Sequence, residues 1–303
     1  MANSGIQNTG SGTINVSGSA IGESATVYSG GWHRSEENKV ADAADRRADV
    51  GVITVLTEET LALTTALGRV GSARIRVHDD RSRCNEAEIE LGGRRVLVAA
   101  TQTASPGQRA AVNAFQRLQR YHAPTVIALV GIAGAAHPSL ALGDVVVVQE
   151  VLYYDLRKET ADRTLRRGQT RPVPIGIGHG INHFFSSNGE PYQASFHDPD
   201  GVIRQCSVLR GPVASGEAVV ADAQSDIRRY IRDFNDKTLA LETEAGGVAE
   251  AFHEMAANSN TQGWIAIRGI SDHANSDKDD SHHDIASWHA ASILLKMLPY
   301  LVP

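Results

Sequence analysis

The sequence predicts an α/β fold: a central mixed, mostly parallel twisted sheet flanked by helices. Short apolar runs at residues 50–56, 125–130 and 264–267 read as strands buried on both faces. Between such runs lie segments of helical period, as at 107–122, where Ala111, Val112, Phe115 and Leu118 share a face. The chain has 303 residues, enough for one large core or two small ones, and its 42% hydrophobic and 21% charged content is that of a soluble globular protein.

In chain order, residues 1–48 stand apart. The stretch 5–22 is Gly, Ser, Asn and Thr with isolated Ile and Val, and it is uncharged until Glu23. It has too few large apolar groups to build a core. It reads as a flexible tail or, given the alternation Ile14, Asn15, Val16, as a segment that stacks into cross-β with its own copies. Residues 33–48, charged and Ala-rich, read as a linker with some helix. The remainder, 49–303, is expected to be one catalytic domain. A strand at 50–56 leads to a helix at 59–67. A strand at 94–101 leads to the helix at 107–122. The strand at 125–130 ends in a turn from Gly131 to Gly134, and another strand follows at 144–149. Residues 156–206 are rich in Arg, Gly and Pro, with weak periodicity, and read as a long insertion or lid. Asp222 is the expected N-cap of a helix running to Phe234. A strand at 239–241 opens into a helix reaching about 257, and an amphipathic helix at 285–298 closes the chain. Strands alternating with helices argue for parallel pairing.

The net charge of −6 and pI near 6.0 give no basic field for nucleic acid. No apolar run approaches the roughly 20 residues of a membrane span, and the N-terminus lacks the basic-then-apolar secretory pattern. Cys84 and Cys206 are therefore expected as reduced thiols of a cytoplasmic protein.

Carboxylates cluster where strands end: Glu58 and Glu59 after the first, Glu242 and Glu244 after the short one, Asp272 after the last. Open α/β sheets keep their active sites there, and a carboxyl group protonated at neutral pH can act as a general acid. Singly, each has a plainer reading: first-turn acids on a helix dipole, surface carboxylates or an N-cap. Together and in this order the segments are more specific. Leu56 to Glu59, Val130 to Ala136 with 142–147 following, Ala240 to Ala245, and Ile270 to His273 resemble the nucleoside phosphorylase and nucleosidase superfamily, which includes the methylthioadenosine/S-adenosylhomocysteine nucleosidases.

The resemblance implies a three-layer phosphorylase-like domain that cleaves the N-glycosidic bond of a purine nucleoside or nucleotide, with no cofactor and no metal. By the same resemblance Asp272 is the acid at the purine N7, Glu244 binds the ribose hydroxyls with Glu242 beside it, and Glu59 positions and activates water. Ser271 orients the acid, while Gly131 and Gly134 let the backbone approach the sugar. Residues 215–220 line the base pocket, with the main chain of Val220 on the adenine edge. Thr243, Val219 and Ile132 depart from the family's methionine, stacking aromatic and turn serine, which argues against a small thioether-nucleoside pocket. Leu129 stands where phosphorylases place a phosphate-binding arginine, and the first loop is acidic, so water is the expected nucleophile.

Residues 153–159 and 267–278 are similar to phosphorylase-type effector domains of immune and anti-phage proteins, some of which cleave ATP. That role implies cations near the sugar 5′ end: Arg157 and Lys158, with Arg163, Arg166, Arg167 and Arg171. The N-terminal stretch resembles amyloid-signalling motifs, which implies an NLR-like partner, and the superfamily implies a homo-oligomer. The expected function is thus release of adenine by an immune-type effector hydrolase. The alternatives are a housekeeping nucleosidase or phosphorylase, and a non-catalytic nucleotide-binding assembly module. The histidines and aspartates between His273 and His289 match no defined metal loop.

Overall fold

The strands buried along their whole lengths are those with helices on both sides. A computed structural model describes residues 47–274 and 281–302. In chain order the elements are β1 (Val50–Thr54), α1 (Thr57–Val70), β2 (Gly71–Val77), β3 (Arg83–Leu91), β4 (Arg94–Gln102), α2 (Gln108–His122), β5 (Val126–Ala135) and β6 (Val145–Tyr153). Next come β7 (Arg157–Glu159), β8 (Thr164–Arg166), β9 (Gln169–Pro172), α3 (Ile175–Asn188), β10 (Tyr192–His197) and β11 (Ile203–Ser215). The chain finishes with α4 (Asp226–Phe234), β12 (Ala240–Glu242), α5 (Ala245–Met255), β13 (Gly263–Asp272) and α6 (His283–Leu301).

The main sheet is mixed, ordered β10-β11-β6-β13-β5-β1-β4-β3-β2. Its centre, β13-β5-β1-β4, is parallel. β1 and β13 are buried along their whole lengths. Alternation within the strands then sorts side chains into two layers. Val126, Ala128 and Val130 of β5 join Ile265 and Ile267 of β13 under α1, α3 and α6. Ile127 and Leu129 join Trp264 and Ala266 over α2 and α5. The result is the expected three-layer arrangement.

Two irregularities place the site. First, β12 pairs with β11 in parallel and with β5 antiparallel, closing a ring of strands β11-β6-β13-β5-β12. Second, the β13–β5 register shifts by one residue between Ile270 and Asp272. Bulges of this kind re-aim side chains beside active sites.

Several expectations are corrected. The segment from Gly131 to Gly134 is no turn: β5 continues through it to Ala135, because β13 and β12 supply its hydrogen-bond partners. Residues 156–206 are not a single lid. Ile177, Ile181, Phe184 and Phe185 of α3 sit in the main core, and β10 and β11 form one side of the sheet. Only β7 and β8 make a separate exposed hairpin. The cap of α4 is Ser225, whose side chain accepts from the Arg228 N–H at 3.3 Å, rather than Asp222. Strands β2 and β3 were not foreseen. The low-complexity motif and most of its linker, residues 1–46, lie outside the described residues, as do residues 275–280. Among the described residues, no helix is long and apolar enough to cross a membrane. Cys84 and Cys206 are both free and buried.

Phe115 of α2 is fully buried in the layer over α5. Phe115→Ala is expected to lower the unfolding free energy, measured by chemical denaturation, by about 3–5 kcal/mol.

Candidate active site

The ends of β1, β5, β6, β12 and β13 and the loop at 218–220 line a cavity of about 270 Å³. Glu59 reaches it from the first turn of α1. Its Oε2 accepts from the N–H groups of Val55 and Leu56 at 2.6 and 2.9 Å, tying the helix to the end of β1. Its Oε1 accepts from Ile132 N–H at 2.9 Å, tying both to β5. Glu59 therefore has a helix-start role as well as a place in the cavity wall. Burial raises its pKa above the ordinary glutamate value, opposed by the charge of Arg268 and by those three backbone donors.

Arg268 of β13 is fully buried. Its Nη2 donates to Glu242 Oε2 and, at 3.0 Å, to Glu244 Oε2. Burial alone would lower its pKa, but Glu242, Glu244 and Glu59 hold it above the ordinary arginine value. Glu242 Oε2 also accepts from the N–H groups of Glu244 and Ala245 at 3.0 and 2.8 Å, at the start of α5. Glu244 Oε1 accepts from Gly107 N–H at 2.9 Å and from the Thr243 hydroxyl. Gly131 makes the crowding feasible: a Cβ there would fall 2.2 Å from Glu59 Oε1 and 2.7 Å from Arg268 Nη1.

Asp272 ends β13 and is buried. Its Oδ2 accepts from the Ser271 hydroxyl at 3.0 Å and its Oδ1 from Ala274 N–H at 2.7 Å. A Cβ on Gly134 would lie 2.8 Å from Asp272 Oδ1, so this glycine too clears space for a carboxylate. Across the cavity, Val219 is exposed and Val220 half-buried, in a loop held by Tyr154, whose hydroxyl donates to Ala218 O at 3.0 Å.

Among the expected residues, the cavity wall gathers Glu59, Glu242, Thr243, Glu244, Ser271, Asp272, Ile132, Gly134, Val219 and Val220. Gly131 lies just behind it. Arg157 and Lys158 are not in the wall. They are exposed on the β7–β8 hairpin, and Arg157 donates to Glu159 at 2.7 Å. Among the described wall residues there is no lysine or arginine. Leu129 is fully buried in the core.

Arg268 was missed as a site residue. A signal existed: an arginine inside a buried strand demands carboxylate partners. Arg228 of α4 was missed as well. Its guanidinium donates to the carbonyls of Ala135, Ala136, His273 and Ala274 at 3.2–3.3 Å, clamping the ends of β5 and β13. Gln108 was the third, donating to Ser215 Oγ at 2.8 Å and accepting from Gly247 N–H.

Comparison with known proteins fits this geometry. The ATP nucleosidase Cap17 of Escherichia coli (strain KTE188) is 27% identical over 195 residues, 58% of this chain. The match spans 36% of that relative's length. A 5'-methylthioadenosine/S-adenosylhomocysteine nucleosidase of Bacillus thuringiensis (strain Al Hakam) is 25% identical over 221 residues, 72% of this chain and 87% of its own. Among solved structures, the Neisseria meningitidis 5'-methylthioadenosine/S-adenosylhomocysteine nucleosidase in complex with methylthio-immucillin-A shares the fold. Its TM-score is 0.59 at 21% identity, covering 82% of this chain and 97% of that one. The futalosine hydrolase of Helicobacter pylori strain 26695 does likewise, with TM-score 0.62 at 14% identity, covering 83% and 97%. Residues 49–299 match the family model described as phosphorylase superfamily, and this chain belongs to that superfamily.

Proposed function

We propose that this protein is a hydrolase that cleaves the N-glycosidic bond of an adenine nucleoside or nucleotide and releases the base. The carrying observation is the convergence of Asp272, Glu59 and the Glu242–Glu244–Arg268 cluster on one cavity. As the bond from C1′ to the base breaks, its electron pair leaves with the purine and the sugar becomes cationic, like an oxocarbenium ion. Asp272, oriented by Ser271 and Ala274 N–H, delivers a proton at the purine N7. Glu244, fixed by Arg268 and Gly107 N–H, accepts from the ribose hydroxyls. Glu59 accepts a proton from water as its oxygen bonds to C1′. A carboxylate-lined wall with no lysine or arginine among its described residues favours water over phosphate as the nucleophile.

The finer proposal is that ATP is the substrate and that the enzyme is an immune-type effector. Two things support ATP: the similarity to an ATP nucleosidase, and the hairpin that leaves the cavity wall at Tyr154. There Arg166 donates to Tyr154 O at 3.5 Å, and Arg157, Lys158, Arg163 and Arg167 are exposed. Guanidinium groups suit polyphosphate. Recruitment by an NLR-like partner through the N-terminal motif, about residues 5–27, rests on the composition of that segment.

The test is incubation with ATP, AMP, adenosine and methylthioadenosine, with and without phosphate, following free base. Adenine release from ATP without phosphate is expected. Turnover of methylthioadenosine alone would remove the effector reading, and no turnover of any substrate would favour a binding module. Asp272→Asn should lower kcat by about 10²–10⁴-fold with little change in KM. Glu59 must be ionised to take a proton, and its pKa is raised. The acid limb of kcat/KM should therefore lie above the ordinary glutamate value of 4.5, and Glu59→Gln should abolish both the limb and most of the activity. A limb that survives in the residual activity of Glu59→Gln belongs to another group.

A further inference from the structure

Away from the catalytic cavity, three side chains with metal-binding atoms meet at the outer edge of the sheet. His78 lies in the turn between β2 and β3, Cys84 is near the start of β3, and His122 ends α2. One donor atom from each lies within 4.8 Å of the other two. Cys84 and His122 are buried and His78 is half-buried. The His78 ring stacks on Tyr121, centroids 4.0 Å apart, and meets His122 edge-on at 5.2 Å. Its turn is fixed by His78 N–H to Ser82 O at 2.9 Å and Arg81 N–H to His78 O at 3.0 Å.

His122 supplies the second, independent observation. Its Nε2 lies 3.0 Å from Glu86 Oε1. Glu86 also pairs with Arg74 at 2.5 Å and Arg76 at 2.6 Å, so it is a carboxylate and Nε2 must be the donor. In the neutral ring that fixes the tautomer and makes Nδ1 the nitrogen with the free lone pair. Nδ1 is buried and has no hydrogen-bond partner. Buried polar atoms in native proteins are seldom left this way. A cation at Nδ1 would satisfy it, and a carboxylate behind a ligating histidine is the usual outer support of such a bond.

We propose that His78, Cys84 and His122 bind a zinc ion that staples the β2–β3 hairpin to the end of α2. Two imidazoles and a thiolate are the donor set of a borderline-soft ion rather than of calcium or magnesium. Glu86 is held by Arg74, Arg76 and His122, so it supports the ion through His122 instead of ligating it. Bonds of about 2.0–2.3 Å place tetrahedral ligands somewhat under 4 Å apart, so the three donors need only a small closing movement. The half-exposed side of His78 leaves the fourth position to water. The Cys84 thiol proton passes to solvent as the S–Zn bond forms, with no change of oxidation state. No metal was expected because the family resemblance implies none, and these three donors, spread along the chain, match no metal motif.

The test is titration of the untagged, metal-stripped full chain with Co2+, a spectroscopic stand-in for zinc. One equivalent is expected to give a thiolate-to-cobalt charge-transfer band in the near ultraviolet and tetrahedral bands in the visible, both abolished by one equivalent of Zn2+. Cys84→Ser should remove the charge-transfer band. His78→Ala, at the half-exposed ligand, should weaken binding at least about tenfold and eliminate the rise in Tm that zinc gives the wild type. If Cys84→Ser does not fold, His78→Ala decides. No cobalt bands at one equivalent would overturn the proposal. So would bands without a thiolate component, or bands unchanged in His78→Ala, either of which places the ion elsewhere.

Discussion

One buried guanidinium organises the walls of the candidate active site. Arg268 has no solvent contact and donates to two glutamates. Glu242 in turn takes the N–H of Glu244 and the first N–H of α5, and Glu244 takes Gly107 N–H ahead of α2. The same cation lies close enough to Glu59 to act on its charge. The ends of β5, β12 and β13 and the starts of two helices therefore share one ionic centre. Burying such a group is tolerable only because it is paired, and loss of either kind of partner leaves a charge with no solvent to turn to. The residues around it are correspondingly constrained, as Gly131 shows.

The balance of charge at this centre bears on the proposed chemistry. Glu59, Glu242 and Glu244 surround a single arginine. The environment is therefore biased toward positive charge in whatever binds there. A sugar that becomes cationic as its base departs is stabilised as it develops charge, whereas the neutral ground state gains less. The same bias disfavours an anionic nucleophile. The raised pKa of Glu59 is part of this arrangement: burial, opposed by Arg268 and the three backbone donors, makes it a better proton acceptor than a surface glutamate.

The central strands and most helices were legible in the sequence because burial on both faces leaves an uninterrupted apolar run. The acids were legible because each stands where such a run stops. What was missed has identifiable causes. β2 carries exposed Ile75 and Val77 and little periodic burial, so it has no apolar face to announce it. α3 begins with alternating glycines, poor helix formers held in place by the core contacts of Ile177, Ile181 and Phe184. The glycines of β5 suggested a turn, since glycine more often serves backbone freedom than space. Here both serve space, for side chains that arrive from distant parts of the chain. Arg268 and Arg228 act through partners remote in sequence, and no local pattern encodes those pairings.

The one-residue shift in β13 has a further consequence, which concerns parity. From Trp264 to Ile270, even-numbered residues of β13 stand opposite odd-numbered residues of β5, but Asp272 stands opposite Gly134, even against even. The inserted residue switches the acid to the opposite pleat from the one that simple alternation would give it. Substitution at Ser271 changes a hydrogen bond, whereas removal of the position would reverse which way everything beyond it points. Chain length at this point is therefore a determinant in its own right, separate from side-chain identity. An alignment scored only on matching residues would give it no weight.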